Sequence, residues 1–194
     1  KNVNSLEIKE CQVVFGLSQV PDKPGIAAQI FEMLSTANIN VDLIIQATHD
    51  KNMNNITFTV SDRDLKKTIE QCDLIINSLG GRYNFFENMT KLSIQGAGIM
   101  GRPSVSAELF DSLSKANINV RVIATSEIKV SCVIDLKDIS KATRIVGEKF
   151  KLSSNQIFIN PNLLVKEEPE VRGIALDKNQ VQISFRNLPD KPGV

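Results

Sequence analysis

Two turns carry the residues best suited to chemistry. Pro21-Asp-Lys-Pro-Gly25 delivers the chain into an apolar stripe at helical spacing, and the small, turn-rich segment Ile99 to Ser106 does the same later on. A helix start presents backbone N–H groups that have no partner inside the helix, so it is a natural seat for a carboxylate. Asp22 adds an anion able to pair with an ammonium group, and Asn40 and Asn119 stand where the following strands begin, within reach of the turn of a neighbouring repeat. Together these groups suit a free amino acid held between two modules. They suit equally a chain in which Pro24, Gly25 and the Ala-Asn-Ile-Asn-Val segments do no more than turn and cap; the residues alone leave both readings open.

Other chemistries are poorly supplied. His49 is the only histidine, in the polar stretch Thr48 to Asn54, and is expected to be a solvated loop residue. Cys11, Cys72 and Cys132 lie too far apart in sequence for a metal or redox-pair spacing. Cys72 and Cys132 fall on apolar patterns and are expected to be reduced core residues. Gly96-Ala-Gly98 followed by Gly101 lacks the spacing of a dinucleotide fingerprint, so these glycines are read as a tight turn between strand and helix. No catalytic constellation and no metal site are expected. Asn55-Ile-Thr57 and Asn88-Met-Thr90 match the glycosylation pattern but come without a secretory signal. The formal charge of +1, the single Tyr and the absence of Trp speak against a nucleic-acid partner. No window is apolar enough to span a bilayer.

The elements that position these turns come in two copies, offset by 79 residues: Ala37-Asn-Ile-Asn-Val41 returns as Ala116-Asn-Ile-Asn-Val120, and Pro24, Ala28 and Phe31 return as Pro103, Ala107 and Phe110. A fixed period sets domain size before anything else does. In the first copy we expect a strand at Gln12–Leu17, a helix from the Pro24 turn to Ala37 with Asn38 as a left-handed cap, and strands at Ile39–Ala47 and Asn55–Ser61. A helix capped by Asp62 and a short strand at Tyr83–Phe86 complete it. The second copy gives a strand at Lys91–Gly96, a helix at 103–116, strands at 118–125 and 129–134, a helix at 138–150 and a strand at 156–160. The order is β-α-β-β-α-β, which is the ferredoxin-like arrangement of an α/β (α+β) fold, with two helices on one face of an antiparallel four-stranded sheet. The bare face or an edge of so small a unit gains by packing on a neighbour, within the chain or across a dimer.

Domain limits are expected at 6–88 and 89–160, with a Pro- and Glu-rich linker at 161–170. The segment 171–194 reads as the leading strand of a third copy, since Gln180-Val-Gln-Ile-Ser-Phe185 alternates cleanly and Pro189-Asp-Lys-Pro-Gly193 repeats the first turn. A start at Lys1 and a stop inside the third copy fit a piece of a longer protein.

Several long motifs in order resemble the paired ACT domains in the regulatory region of aspartate kinase. They are Val20-Pro-Asp-Lys-Pro-Gly-Ile-Ala-Ala28, Asn40-Val-Asp-Leu-Ile-Ile-Gln46, Ile56-Thr-Phe-Thr-Val60, Lys91-Leu-Ser-Ile-Gln-Gly-Ala-Gly98, Thr125-Ser-Glu-Ile-Lys-Val-Ser-Cys132 and Val171-Arg-Gly-Ile-Ala-Leu-Asp-Lys-Asn179. The third copy resembles the cyanobacterial type with four ACT domains in tandem. The resemblance implies threonine or lysine as effector, a homodimer through ACT sheets, and a cytoplasmic location, or the plastid stroma in an alga or plant. It also implies a kinase domain in cis, which uses ATP and Mg to phosphorylate the β-carboxylate of aspartate. The motifs of that domain are absent from this chain, so the chain itself is expected to bind no cofactor and to catalyse nothing.

Carried over residue by residue, the effector contacts are Asp22, Gly25, Ile26, Ala27 and Gln46, completed by Asn119 and Val120 in cis or from a partner. A weaker quasi-symmetric site would use Asn40, Pro103, Ser104, Val105 and Thr125, with Ser126 and Glu127 beside it. The second turn has no aspartate where Asp22 stands, and Ser104 replaces Gly25. The alternative is a dimerisation scaffold without ligand.

Overall fold

Alternating branched and aromatic residues from Ser5 onward build one long strand, β1 (Ser5–Pro21), which serves two cores. Leu6 and Ile8 enter one core, whereas Val13, Phe15 and Leu17 enter the other. The switch from even to odd positions happens at Cys11, which has φ 57° and lies where the pairing register with β4 shifts. One extra residue in a strand reverses the faces of everything beyond it. The expected strand at Gln12–Leu17 is therefore real but covers only part of the element.

The computed structural model describes residues 2–49, 53–99, 101–159, 180–183, 185, 188–189 and 191–192. After β1 come α1 (Ile26–Thr36), β2 (Val41–His49), β3 (Met53–Ser61), α2 (Leu65–Leu79) and β4 (Arg82–Gln95). The second unit adds α3 (Pro103–Lys115), β5 (Val122–Thr125), β6 (Lys129–Asp135), α4 (Ile139–Lys149) and β7 (Ile157–Ile159). Two βαββαβ units are thus present, as expected. Asn38 and its counterpart Asn117 both adopt the left-handed conformation, φ 54° and 56°, just after their helices. Asp62 opens a 3-10 turn (Asp62–Asp64) rather than capping α2 directly. His49 ends β2 and pairs with Met53 in the ladder, so the expected polar loop is a hairpin whose stems reach further.

The units share a sheet. Its strand order is β2-β3-β1-β4-β6-β5, and β7 runs parallel to the first half of β1. The two strands expected at 83–86 and 91–96 are one, because no turn separates them and Asn88, at φ 56°, is absorbed within the strand. The first half of β1 lies between β4 and β7, and Val3, Leu6 and Ile8 pack with Leu109, Leu113 and Val146 of α3 and α4. On the opposite face, Leu43 and Ile45 of β2 pack against a small cluster of Val14, Met89, Val122 and Val133. Each unit thereby covers part of the other's bare face.

A polar contact pins this packing. The register of β2 on β3 slips between Val41 and Ile44, and the freed Leu43 N–H donates to Thr59 Oγ1 at 3.1 Å. At the slip, the Asp42 carboxylate accepts hydrogen bonds from Lys91 at 2.6 Å and Lys9 at 3.0 Å, both on strands of the shared sheet. Burial pushes the Asp42 carboxyl up, and the two lysines more than reverse this, holding it below the usual carboxylate range.

Cys72 and Cys132 are fully buried, as expected, and burial pushes both thiols up to about 12. The expected linker lies outside the described residues. Residues 180–183 and 185, read as a leading strand, belong to no strand, and Val181, Ile183 and Phe185 are exposed. A lone alternating segment gains its ladder only from a neighbouring edge.

Candidate functional site

Proline fixes its own φ and donates no N–H, so β1 ends naturally at Pro21 and the turn to α1 begins. The turn closes at Gly25 with φ 93°, a conformation that costs a residue bearing a Cβ about 1–2 kcal/mol. Ile26 then starts α1, its side chain packed on the first core and its N–H bonded to the Lys23 carbonyl at 3.3 Å. Ala27 is exposed in the first helical turn, where its N–H has no partner within the helix. The exposed Asp22 is held by Asn54 of β3, whose Nδ2 donates to its Oδ1 at 2.7 Å. Asn54 is only 4% exposed, and its own Oδ1 is buried without a hydrogen-bond partner. Gln46 is exposed on β2 and pairs with Ile56, two positions along from the Thr48–Asn54 pair. Strand β3 thus holds Asp22 through Asn54 and, two residues along, carries Ile56, the ladder partner of Gln46.

Asn119 and Val120, half-buried just before β5, lie elsewhere. They line a cleft of about 400 Å³ with Phe110, Ile123 and two residues of the repeated Pro-Asp-Lys-Pro-Gly motif, Lys191 and Pro192. None of Asp22, Gly25, Ile26, Ala27 or Gln46 lines that cleft. In the second unit Pro103 is the first residue of α3 and Ser104 is exposed, but the Val105 side chain is buried in the core, leaving only its backbone to offer. Thr125, Ser126 and Glu127 are exposed at the β5–β6 turn, where Ser126 N–H donates to the Lys129 carbonyl at 2.7 Å. Asn40 is exposed beyond α1.

Two contributors escaped the sequence reading. Asn54 sits 32 residues from Asp22 in a polar hairpin, and no spacing marks it. Lys191 and Pro192 were legible as a repeated turn, but nothing in the pattern says where that turn lands. The Gly96–Gly98 turn proves to be a packing device. A Cβ on either glycine would run into the backbone of Asn2. Among the described residues no three metal-ligating side chains gather, and the arrangement offers hydrogen-bond donors, acceptors and a carboxylate rather than a nucleophile and base.

A βαββαβ unit repeated in tandem, two helices over an antiparallel sheet in each copy, defines the class of small two-layer α+β modules. The family model for the ACT domain matches residues 18–73 and 92–150, and the chain belongs to that family. It is homologous to the regulatory subunits of aspartate kinases. The ligand-free regulatory subunit of aspartate kinase from Thermus thermophilus superposes with a TM-score of 0.72 at 31% identity, covering 77% of this chain and 99% of that one. Aspartate kinase from Synechocystis gives a TM-score of 0.81 at 32% identity, over 89% of this chain and 30% of that one. An aspartate kinase of Stutzerimonas stutzeri (strain A1501) is 38% identical over 136 residues, 70% of this chain and 33% of its own length. The chain spans about a third of the length of the curated relatives it matches.

Proposed function

We propose that this chain is the amino-acid-sensing regulatory region of an aspartate kinase, binding threonine, lysine or both and passing feedback inhibition to a kinase domain in cis. That domain would use ATP and Mg to phosphorylate aspartate; this chain supplies no group to the reaction. The effector's seat is the contact between a Pro-Asp-Lys-Pro-Gly turn and an Asn-Val strand entrance. The observation that carries the reading is the cleft where Lys191 and Pro192 of one such turn line the same 400 Å³ space as Asn119 and Val120. A volume of that order accommodates a small ligand.

The first turn supports the chemistry. Asp22, pinned by Asn54, offers a fixed anion beside an unpaired buried acceptor, which suits an ammonium group. The amides that start α1 suit a carboxylate at the other end of the same zwitterion. Gln46 reads the effector's side chain at the first turn, with Asn119 supplied to that turn by a partner chain, and Asn119 reads it within the cleft. The weaker quasi-symmetric seat uses Asn40 with Pro103, Ser104, Val105 and Thr125, flanked by Ser126 and Glu127. The return of Pro21-Asp-Lys-Pro-Gly25 as Pro189-Asp-Lys-Pro-Gly193 supports a parent of the cyanobacterial type with four ACT domains in tandem. Self-association through ACT units completes the assembly.

A ligand shifts an enzyme only by favouring one arrangement over another, and a ligand gripped from two modules does so by its position. In the whole kinase, Asn119→Ala and Gln46→Ala should each relieve inhibition by threonine or lysine while leaving uninhibited turnover near normal. Undiminished inhibition of both variants would overturn the seat.

A further inference from the structure

Each strand entrance runs into a residue that reaches out of its own unit. Asn40-Val41 is followed by Asp42 and, 79 positions on, Asn119-Val120 is followed by Arg121. The two residues carry opposite charges, yet both cross over. Asp42, on β2 of the first unit, accepts from Lys91 at 2.6 Å and Lys9 at 3.0 Å, on the strands that carry Leu92 and Ile8 into the second core. Arg121, just ahead of β5 in the second unit, lays its guanidinium 4.4 Å from the centroid of the Phe86 ring, on the part of β4 that pairs with the first unit's half of β1. Its Nε donates to Asp135 Oδ1 at 3.1 Å, which fixes the plane of the fork over the ring.

The second entrance therefore has two sides. Asn119 and Val120 line the cleft with Lys191 and Pro192, whereas Arg121 lines a different one, of about 450 Å³, with Phe85, Phe86, Met89 and Asp135. The Arg121 backbone N–H donates to the Val133 carbonyl at 2.9 Å, so the residue is tied to the sheet while its side chain crosses to the other unit. Phe86 is 40% exposed and Arg121 half-buried, so the stack forms or parts without opening either core. We infer that Arg121, stacked on Phe86, carries the state of the Asn119–Val120 entrance to the first unit, and that Asp42 with Lys91 does the same in the opposite direction. The inference rests on the effector reading above and adds the route by which an occupied entrance is felt beyond its own unit. A ligand that fixes the entrance favours the stack; coupling between sites is reciprocal, so the stack favours the ligand by the same factor.

Calorimetric titration of the chain with threonine and with lysine tests this through a double-mutant cycle. Arg121→Gln and Phe86→Leu change no residue that lines the effector cleft, yet each should weaken binding at least about fivefold with unchanged circular dichroism. The double variant should bind no more weakly than either single one, because both changes remove the same contact. Lys137→Ala takes from Asp135 a partner at 3.5 Å and leaves the Phe86 stack in place, so it should leave affinity unchanged. A wild-type chain that binds neither amino acid would overturn the effector reading and this inference with it. Binding that ignores both single variants, losses that simply add in the double variant, or an equal loss in Lys137→Ala would leave that reading standing and overturn the transmission through Arg121.

Discussion

Gly25 and Asn54 show how the candidate seat is fixed by single residues. Nothing lies within 4 Å of the position a Cβ would take on Gly25, so the demand there is conformational, set by φ 93°. Gly25→Ala should cost about 1–2 kcal/mol in urea unfolding and loosen the start of α1; a neutral result would show that the turn relaxes freely. Asn54→Ala removes the donor that holds Asp22 and should weaken amino-acid binding at the first turn more than it weakens folding. Calorimetry beside a melt separates the two effects. The turn was legible because Pro and Gly restrict the backbone in ways that sequence states directly. Asn54 was not legible, since a buried amide in a polar hairpin is recognised only once the chain has folded its partner onto it.

Among the elements, β2 decides how the units meet. Its bulge sends Asp42 to Lys9 and Lys91, and Lys91 is nearly buried, so Asp42→Asn leaves a cation without its counter-charge. The expected loss is about 2 kcal/mol at neutral pH, below the figure for a fully buried pair because Asp42 and Lys9 keep some contact with water. The sign of the pH dependence follows from the lowered carboxyl. A group depressed in the folded state contributes stability above its unfolded value, near 3.9, and loses it as pH falls through the folded value. The gap between wild type and Asp42→Asn in urea unfolding should therefore narrow below about pH 4. A gap constant from pH 7 to pH 2.5 would contradict the clamp. Helix and strand types were largely readable from periodicity. The bulges at Cys11 and Asn88 were not, because alternation shows which face a residue takes only within an unbroken register, and those two positions break it.

At the scale of the molecule, the repeat announced two modules and the opening of a third, and the ACT likeness named their class. What alternation and spacing could not convey was connection: a single sheet threaded by β1 and β4, a strand of the first unit inside the second, and a cleft that Lys191 and Pro192 line together with Asn119 and Val120. Those depend on contacts between residues far apart in sequence, where the energy comes from burying faces that each module leaves bare. The account joins that packing to regulation, since an effector lodged in that cleft would favour the arrangement that lines it over any other. Isothermal titration of the chain with threonine and with lysine, repeated on Asn119→Ala, tests this most directly. The account predicts saturable heat with at least one of the two amino acids and affinity at least roughly tenfold weaker in the folded variant. No heat with either amino acid, or equal affinity with and without the Asn119 amide, would contradict it.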